Sequence, residues 1–552
     1  MEKESQKTSS VPKEAHQIKV SANQTDNPSQ TAASLIRYGS ALSLLTFISR
    51  ILGLLREMTK ARFLGTSALS DAFSVAFLLP NLFRRLFAEG SISVAFIPTF
   101  KEYLLENNRE KTREFLSCMF TFLTFFVTLM VMAGVLLAPF LVRIFGVEEY
   151  DETVLLTRIM FPFLGFISIA ALFQGVLNSL YIFTPSGFAP ILLNIVTILS
   201  AYILSPYTQN PARAMAIGII IGGFLEVAIQ LPFVLKHGQR FLITGLKRAI
   251  FNPGTQKVLR LIGPTIIGMA AYQINDIVST ALAGRAGEGI VSSLQYSLRL
   301  QELFLGVFAV SIGTVLLPNL TEYAKTSQWD VYCKRLVSSM NIIALITIPI
   351  TFFSIFEGQS LIRLLFQSQS FDETSVSLTH AAFIFHMPGL FFIAINRILA
   401  PAFYAQSDTK SPALAGIISF AVNICLAAIL VGPFRGAGIA FALSLASAVN
   451  TVFLLLFLGK NPNIVLGSAL RSILLYIFKM TILSGIAIIP VFFISPILLG
   501  FFAGSGRIIS YGLPLFINMV VFLSIGVFLL RLVKDQQLSV IVKILRKKGE
   551  NS

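Results

Sequence analysis

At 552 residues, 55% hydrophobic and only 13% charged, with a mean hydropathy of +0.77, the chain is too apolar for a water-soluble protein, whose charged fraction is about 25%. It reads as a polytopic all-α membrane protein. The formal net charge is +16, but the basic residues are dispersed between apolar stretches and at both termini, which argues against nucleic acid as a partner.

Residues 1–34 are polar and rich in Ser, Thr, Gln and Lys, with no short apolar core followed by a cleavage site. They are expected to form a disordered cytoplasmic leader. About twenty apolar residues cross a hydrocarbon core. On that measure, fourteen helices are expected at 35–64, 70–98, 115–145, 153–181, 187–205, 212–235, 258–283, 289–320, 334–357, 375–404, 411–431, 437–459, 470–497 and 507–532, with Pro490 and Pro496 kinking the thirteenth.

The first two helices are the unusual ones. Between Ser49 and Pro98 they carry Arg50, Arg56, Lys60, Arg62, Arg84 and Arg85 against only Glu57, Asp71 and Glu89. An arginine at the centre of a span costs about 2.5–3.5 kcal/mol on insertion scales. Arg50, Arg56 and Arg84, with Arg299 of the eighth helix, are therefore expected to line a hydrated cavity. Lys60 and Arg62 are expected to snorkel to an interface. Arg50 and Arg56 are six residues apart, about 240° of helix rotation, which calls for a bend near Gly53. Arg85 with Glu89, and Arg299 with Glu302, have the spacing of same-helix ion pairs. A guanidinium fork suits bidentate phosphate contacts, so the ligand expected here is phosphorylated, and a cationic drug would be repelled.

Later elements carry fewer signals. Cys118, Cys333 and Cys425 have no metal-ligand spacing and are expected to pack. Asp276, a lone carboxylate in the seventh helix, is either a cation or proton site or the partner of an arginine on a neighbouring helix. His380 and His386, six apart, do not share a helix face and are expected to be structural. No Walker A, HExxH, GxSxG or paired CxxC sequence is present, which argues against an ATPase or a conventional hydrolase.

With a cytoplasmic amino terminus, fifteen basic residues fall in the inner connections and five in the outer, and the acidic loop 146–152 lies outside. Both termini are thus expected inside, with Arg546, Lys547 and Lys548 near anionic headgroups. SISVAFIPTFKEY at 91–103 recurs as SIGTVLLPNLTEY at 311–323, an offset of 220. The intervening number of spans is even, so the repeat is parallel. It divides the chain into a leader (1–34), two pseudo-symmetric six-helix lobes (35–236 and 257–459) joined by an interfacial segment (237–256), two further helices (460–534) and a basic tail (535–552).

The runs SRILGLLRE, SDAFSVAFLLPNLFRRLFAEGSISVAFIP and LAPAFYAQSDTKSP resemble the MurJ (MviN) family of bacterial lipid II flippases, within the multidrug/oligosaccharidyl-lipid/polysaccharide exporter superfamily, over nearly the whole chain. The resemblance implies a fourteen-helix flippase of the inner membrane whose two lobes alternate access. The substrate it implies is lipid II or a similar anionic polyprenyl-linked glycolipid. Membrane lipids and cell-wall synthesis proteins are the partners it suggests, and the last two helices would hold the lipid tail. It assigns essential charges to Arg50, Arg56, Asp71, Arg84, Arg299 and Glu302. Asp276 and Asn423 resemble part of a cation site found in some relatives, although Ala427 stands where another acidic ligand is expected. No cofactor is expected; coupling to a monovalent cation or to the membrane potential stays open. The alternatives are a multidrug cation antiporter, a flippase for another polyprenyl-linked glycan, or a glycolipid transferase. The first expects twelve spans and an acidic pocket, and the last expects clustered carboxylates.

Overall fold

The computed structural model describes residues 28–85, 91–464 and 466–539. Glu89 and the basic residues Arg546, Lys547 and Lys548 lie outside them. Among the described residues every regular element is helical. In chain order these are α1 (Pro28–Leu64), α2 (Ala68–Arg84), α3 (Ser91–Leu105), α4 (Arg109–Arg143), α5 (Tyr150–Met160), α6 (Phe163–Ser179), α7 (Thr184–Leu204), α8 (Pro211–Lys236), α9 (Leu246–Phe251), α10 (Pro253–Arg285), α11 (Ile290–Lys325), α12 (Trp329–Phe366), α13 (Glu373–Ala405), α14 (Lys410–Leu458), α15 (Leu466–Phe501) and α16 (Leu513–Leu532). Helix α1 begins at Pro28, so the end of the expected leader is helical.

Local chemistry sets many of these boundaries. Asn108, Asn210, Asn252 and Asp372 cap the helices that follow them through side-chain oxygens, and Pro211 and Pro253 occupy first-turn positions where a missing N–H costs nothing. Pro162 separates α5 from α6. In α14, Arg435 adopts φ 47°, ψ −128° just after Pro433, splitting the element into two arms. Helix α15, by contrast, stays helical through Pro490 and Pro496.

Nine helical segments among the described residues are long and apolar enough to cross a membrane, and α1, α2, α10 and α11, which carry the charges singled out above, are not among them. The fold is an all-α polytopic membrane fold, and its outer surface is apolar: Leu136, Phe140, Phe478 and Phe501 are among many large hydrophobic side chains left open to the hydrocarbon.

Many polar contacts between chain segments lie toward the two ends of the bundle. At one end Thr66 Oγ1 lies 2.8 Å from Ser375 Oγ, the Ala68 N–H donates to Glu288 Oε1 (2.8 Å), and Arg285 Nη2 donates to the Ile144 carbonyl (3.1 Å). At the other, Lys257 pairs with Glu102, Arg248 with Glu114 (2.7 Å), and the Leu242 and Thr244 N–H groups donate to Ser117 and Thr121 (3.0 Å each), binding the segment around α9 along α4. Asn461 Nδ2 donates to Gln406 there, and Lys479 pairs with Asp535 at 2.7 Å.

Candidate functional site: an arginine-lined cavity

A cavity of about 340 Å³ opens among α1, α2, α6, α7, α8 and α11. Arg50 and Arg56 reach it from α1, Arg84 and the adjoining Arg85 from the end of α2, and Arg299 from α11. The opposite wall is apolar and amide-bearing, with Phe163, Gln174, Asn194 and Gln230 beside Glu226, the one carboxylate among the described lining residues. The cationic excess expected from sequence is therefore collected into one space.

Each arginine is held differently. Arg56 Nη2 donates to Glu57 Oε1 (2.9 Å), and its guanidinium lies 5.5 Å from the centre of the Phe77 ring. Arg84 Nε donates to Asn81 Oδ1 at 2.9 Å, three residues back on the same helix. Arg299 makes the expected same-helix pair with Glu302 at 2.9 Å. Arg85 reaches Asp276 of α10 at 3.0 Å, and Glu89, the same-helix partner expected for it, lies outside the described residues. Arg50 makes no hydrogen bond or ion pair among the described residues.

Helix α1 runs through Gly53 without a break in its helical backbone. The divergence between Arg50 and Arg56 is bridged by side-chain reach. Two glycines make room: a Cβ on Gly306 of α11 would lie 1.9 Å from Arg50 Nη1, and one on Gly53 of α1 would lie 2.8 Å from Arg299 Nη2. The two helices thus exchange arginines, each guanidinium seated against a glycine of the other.

Lys60 overturns an expectation. It does not snorkel but is buried, 3% exposed, donating to Ser74 Oγ (2.5 Å) and Gln295 Oε1 (3.2 Å) and lying 4.9 Å from the centre of the Tyr296 ring. Its partners are residues of α2 and α11 that no local pattern announces. A void of about 20 Å³ beside Lys60 and Glu57 has room for about one water. Arg62 is exposed and lies over Tyr202, as an interfacial residue would.

Asp71 does not line the cavity. Its carboxylate accepts the N–H of Gly289 on Oδ2 and of Ser292 on Oδ1, both at 2.8 Å, at the amino-terminal turn of α11. That position places a negative charge at the positive end of a helix and satisfies donors that have no partner within it. Asp276 and Asn423 do not share a partner: Asp276 is engaged by Arg85, while Asn423 Nδ2 donates to Asn275 (2.8 Å) and Ser279 (3.2 Å). Among the described residues no group of three or more His, Cys, Asp or Glu side chains could hold a metal. His386 is buried against Ser297, and His380 lies on the same helix without sharing its partner.

Sequence reasoning missed Gln174, Asn194, Glu226 and Gln230. The signal available was a polar residue inside an otherwise apolar span, which is rarely lipid-facing.

The profile of the family described as "Lipid II flippase MurJ" matches residues 60–511. The probable lipid II flippase MurJ of Treponema pallidum is 44% identical over 513 residues, covering 92% of this chain and 97% of the relative. The lipid II flippase MurJ of Burkholderia cenocepacia is 34% identical over 440 residues, covering 78% and 84%. Among solved structures, a lipid II flippase MurJ in an inward closed conformation superposes with a TM-score of 0.70 at 25% identity, covering 89% of this chain and 99% of that one. An inward-facing multidrug resistance MATE family transporter of the MOP superfamily superposes with a TM-score of 0.64 at 14% identity, covering 75% and 95%, a likeness of fold alone. The chain belongs to the lipid II flippase MurJ family.

Proposed function

We propose that this protein is a lipid II flippase of the bacterial inner membrane, a transporter and not an enzyme, which moves the undecaprenyl-diphosphate-linked peptidoglycan precursor from the cytoplasmic to the outer leaflet for cell wall biogenesis. The observation that carries this reading is the convergence of Arg50, Arg56, Arg84, Arg85 and Arg299 on one cavity in a chain of this family. A cationic, water-accessible space between helices is what a diphosphate-linked headgroup requires to leave the interface, and it disfavours the cationic substrates of a multidrug antiporter.

The arrangement we infer has fourteen spans. The nine apolar segments are joined by α1, α2 continued by α3, α10 and α11, and α14 counts twice because of its break at Arg435. Two parallel lobes, 35–236 and 257–459, then face each other. Support comes from Ala68 and Glu288, which are hydrogen-bonded at a separation of 220 residues, the offset of the internal repeat. Equivalent residues of two lobes meet in this way only near an axis relating them. The basic bias of the connections at the α9 end assigns that end, and both termini, to the cytoplasm.

In this arrangement the Asp71 cap on α11 closes the outer end. Arg50, Arg56, Arg84 and Arg299 receive the phosphates while the polyprenyl tail stays in hydrocarbon along 460–534. Headgroup binding offsets repulsion among the arginines, and release restores it, favouring return. With the inside negative, each negative charge carried outward gains about 2.3 kcal/mol per 100 mV. The separate partners of Asp276 and Asn423 give no support to a cation shared between them.

The test is a flipping assay in proteoliposomes with lipid II and an unrelated phospholipid, on wild type and the correctly inserted variants Arg56→Ala and Arg56→Lys. The alanine variant should abolish lipid II flipping, and lysine, which keeps charge without the fork, should retain part of it. Full activity in Arg56→Ala, or equal flipping of both lipids by wild type, would remove the phosphate-cavity mechanism.

A further inference from the structure

A second cavity, of about 560 Å³, lies away from the arginine cavity, where the ends of α12 and α15 meet the turn leading into α16. Its polar lining is Arg363, Gln367, Ser368, Arg507, Ser510 and Tyr511, with Leu499 and Ala503 among the apolar residues. Two of these are cations, and they are only partly neutralised. Arg363 Nη2 pairs with Glu373 at 2.8 Å and its guanidinium lies 5.6 Å from the centre of the Tyr511 ring. Its Nε–H, however, is buried with no acceptor among the described residues. Arg507 spends one donor on the Gln367 carbonyl (2.5 Å), which leaves the rest of its fork unused and makes no ion pair among the described residues. A buried guanidinium N–H without a partner is unfavourable, and an anion would relieve it.

The surroundings say what kind of anion. The two segments that flank the cavity, 470–501 and 508–532, are both long and apolar enough to span a membrane, so the turn between them sits at the level of lipid headgroups. On those two segments Ile497, Phe501, Ile508 and Phe516 are 58–79% exposed. Paired arginines and a tyrosine above an open apolar face match an amphiphile with a phosphate head and hydrocarbon chains. We propose that this cavity is a lipid-phosphate site, in which Arg363 and Arg507 bind the phosphate of a membrane lipid whose chains lie along α15 and α16. The chemistry is shared by glycerophospholipids and by polyprenyl phosphates. The site does not depend on the flippase mechanism above.

Retention of lipids by the purified full-length protein, followed by native mass spectrometry in detergent, separates the possibilities. The probes are phosphatidic acid, phosphatidylglycerol, an undecaprenyl phosphate and, lacking the phosphate, diacylglycerol. Phosphate-bearing lipids should be retained over diacylglycerol, and Arg507→Gln should weaken retention about tenfold, the scale of one charge-assisted hydrogen-bonded contact. Arg507 is exposed, so this change should leave folding intact, and Arg363→Gln/Arg507→Gln should weaken retention further. Preference for glycerophospholipids or for undecaprenyl phosphate identifies the source, and either supports the site. Equal retention of diacylglycerol, or retention unchanged in both variants, would overturn it.

Discussion

The contact most open to a decisive test is the Asp71 carboxylate on the first turn of α11. Its two oxygens take the Gly289 and Ser292 N–H groups at 2.8 Å, and the side chain is 3% exposed. Asp71→Ala removes both acceptors and the charge at the helix terminus, leaving two buried donors without partners. Each such loss is worth about 1–3 kcal/mol, so a combined penalty of about 3 kcal/mol is a conservative figure, and that corresponds to about a 100-fold shift in a conformational equilibrium. If this contact holds the outer end shut, the shift appears as opening. The assay uses cysteines at Thr66 and Ser375, whose side-chain oxygens lie 2.8 Å apart at the same end. Thr66→Cys/Ser375→Cys should form a disulfide quickly under mild oxidation and block flipping until reduced, and adding Asp71→Ala should slow crosslinking severalfold or more. Undiminished crosslinking together with wild-type flipping in the Asp71→Ala protein would refute the assignment of Asp71 to closure.

Gly306→Ala places a methyl group where Arg50 Nη1 now sits, so it should weaken lipid II binding by about as much as Arg50→Ala, and the double variant should lose little more, a non-additivity read from a double-mutant cycle of binding constants. Asn518 Nδ2 donates to the buried Glu357 carboxyl at 2.8 Å, tying α16 to α12; Asn518→Leu should destabilise the protein by about 1–3 kcal/mol in a detergent unfolding titration, and an unchanged midpoint would show that the contact contributes nothing. Single cysteines in 146–152 should react with an impermeant reagent from outside and those in 237–256 only from inside; labelling of both from one side would reverse the orientation argument.

What the amino-acid sequence determined by itself was whatever depends on short separations along the chain. Hydropathy located the nine apolar spanning segments among the described residues, because burial in hydrocarbon is a property of each segment alone. The three-residue spacing of Arg299 and Glu302 fixed their pairing, since one helical turn brings them together. The concentration of arginine between Ser49 and Arg85, with Arg299, marked the cavity because no lipid-facing position tolerates it, and the motifs around those residues carried the family.

Only the tertiary structure decided which partners those charges take. Arg85 reaches Asp276, 191 residues away, and Lys60 is buried against Gln295, 235 residues away, because helix packing brings those acceptors within reach. Asp71 became the cap of α11, and Gly53 of α1 became the surface against which Arg299 of α11 is seated. The amide wall of Gln174, Asn194 and Gln230 and the Arg363–Arg507 cavity follow the same physics. A helix presents its side chains in every direction, and which of them meet is settled by the helices packed around it, information that spacing along one helix does not contain.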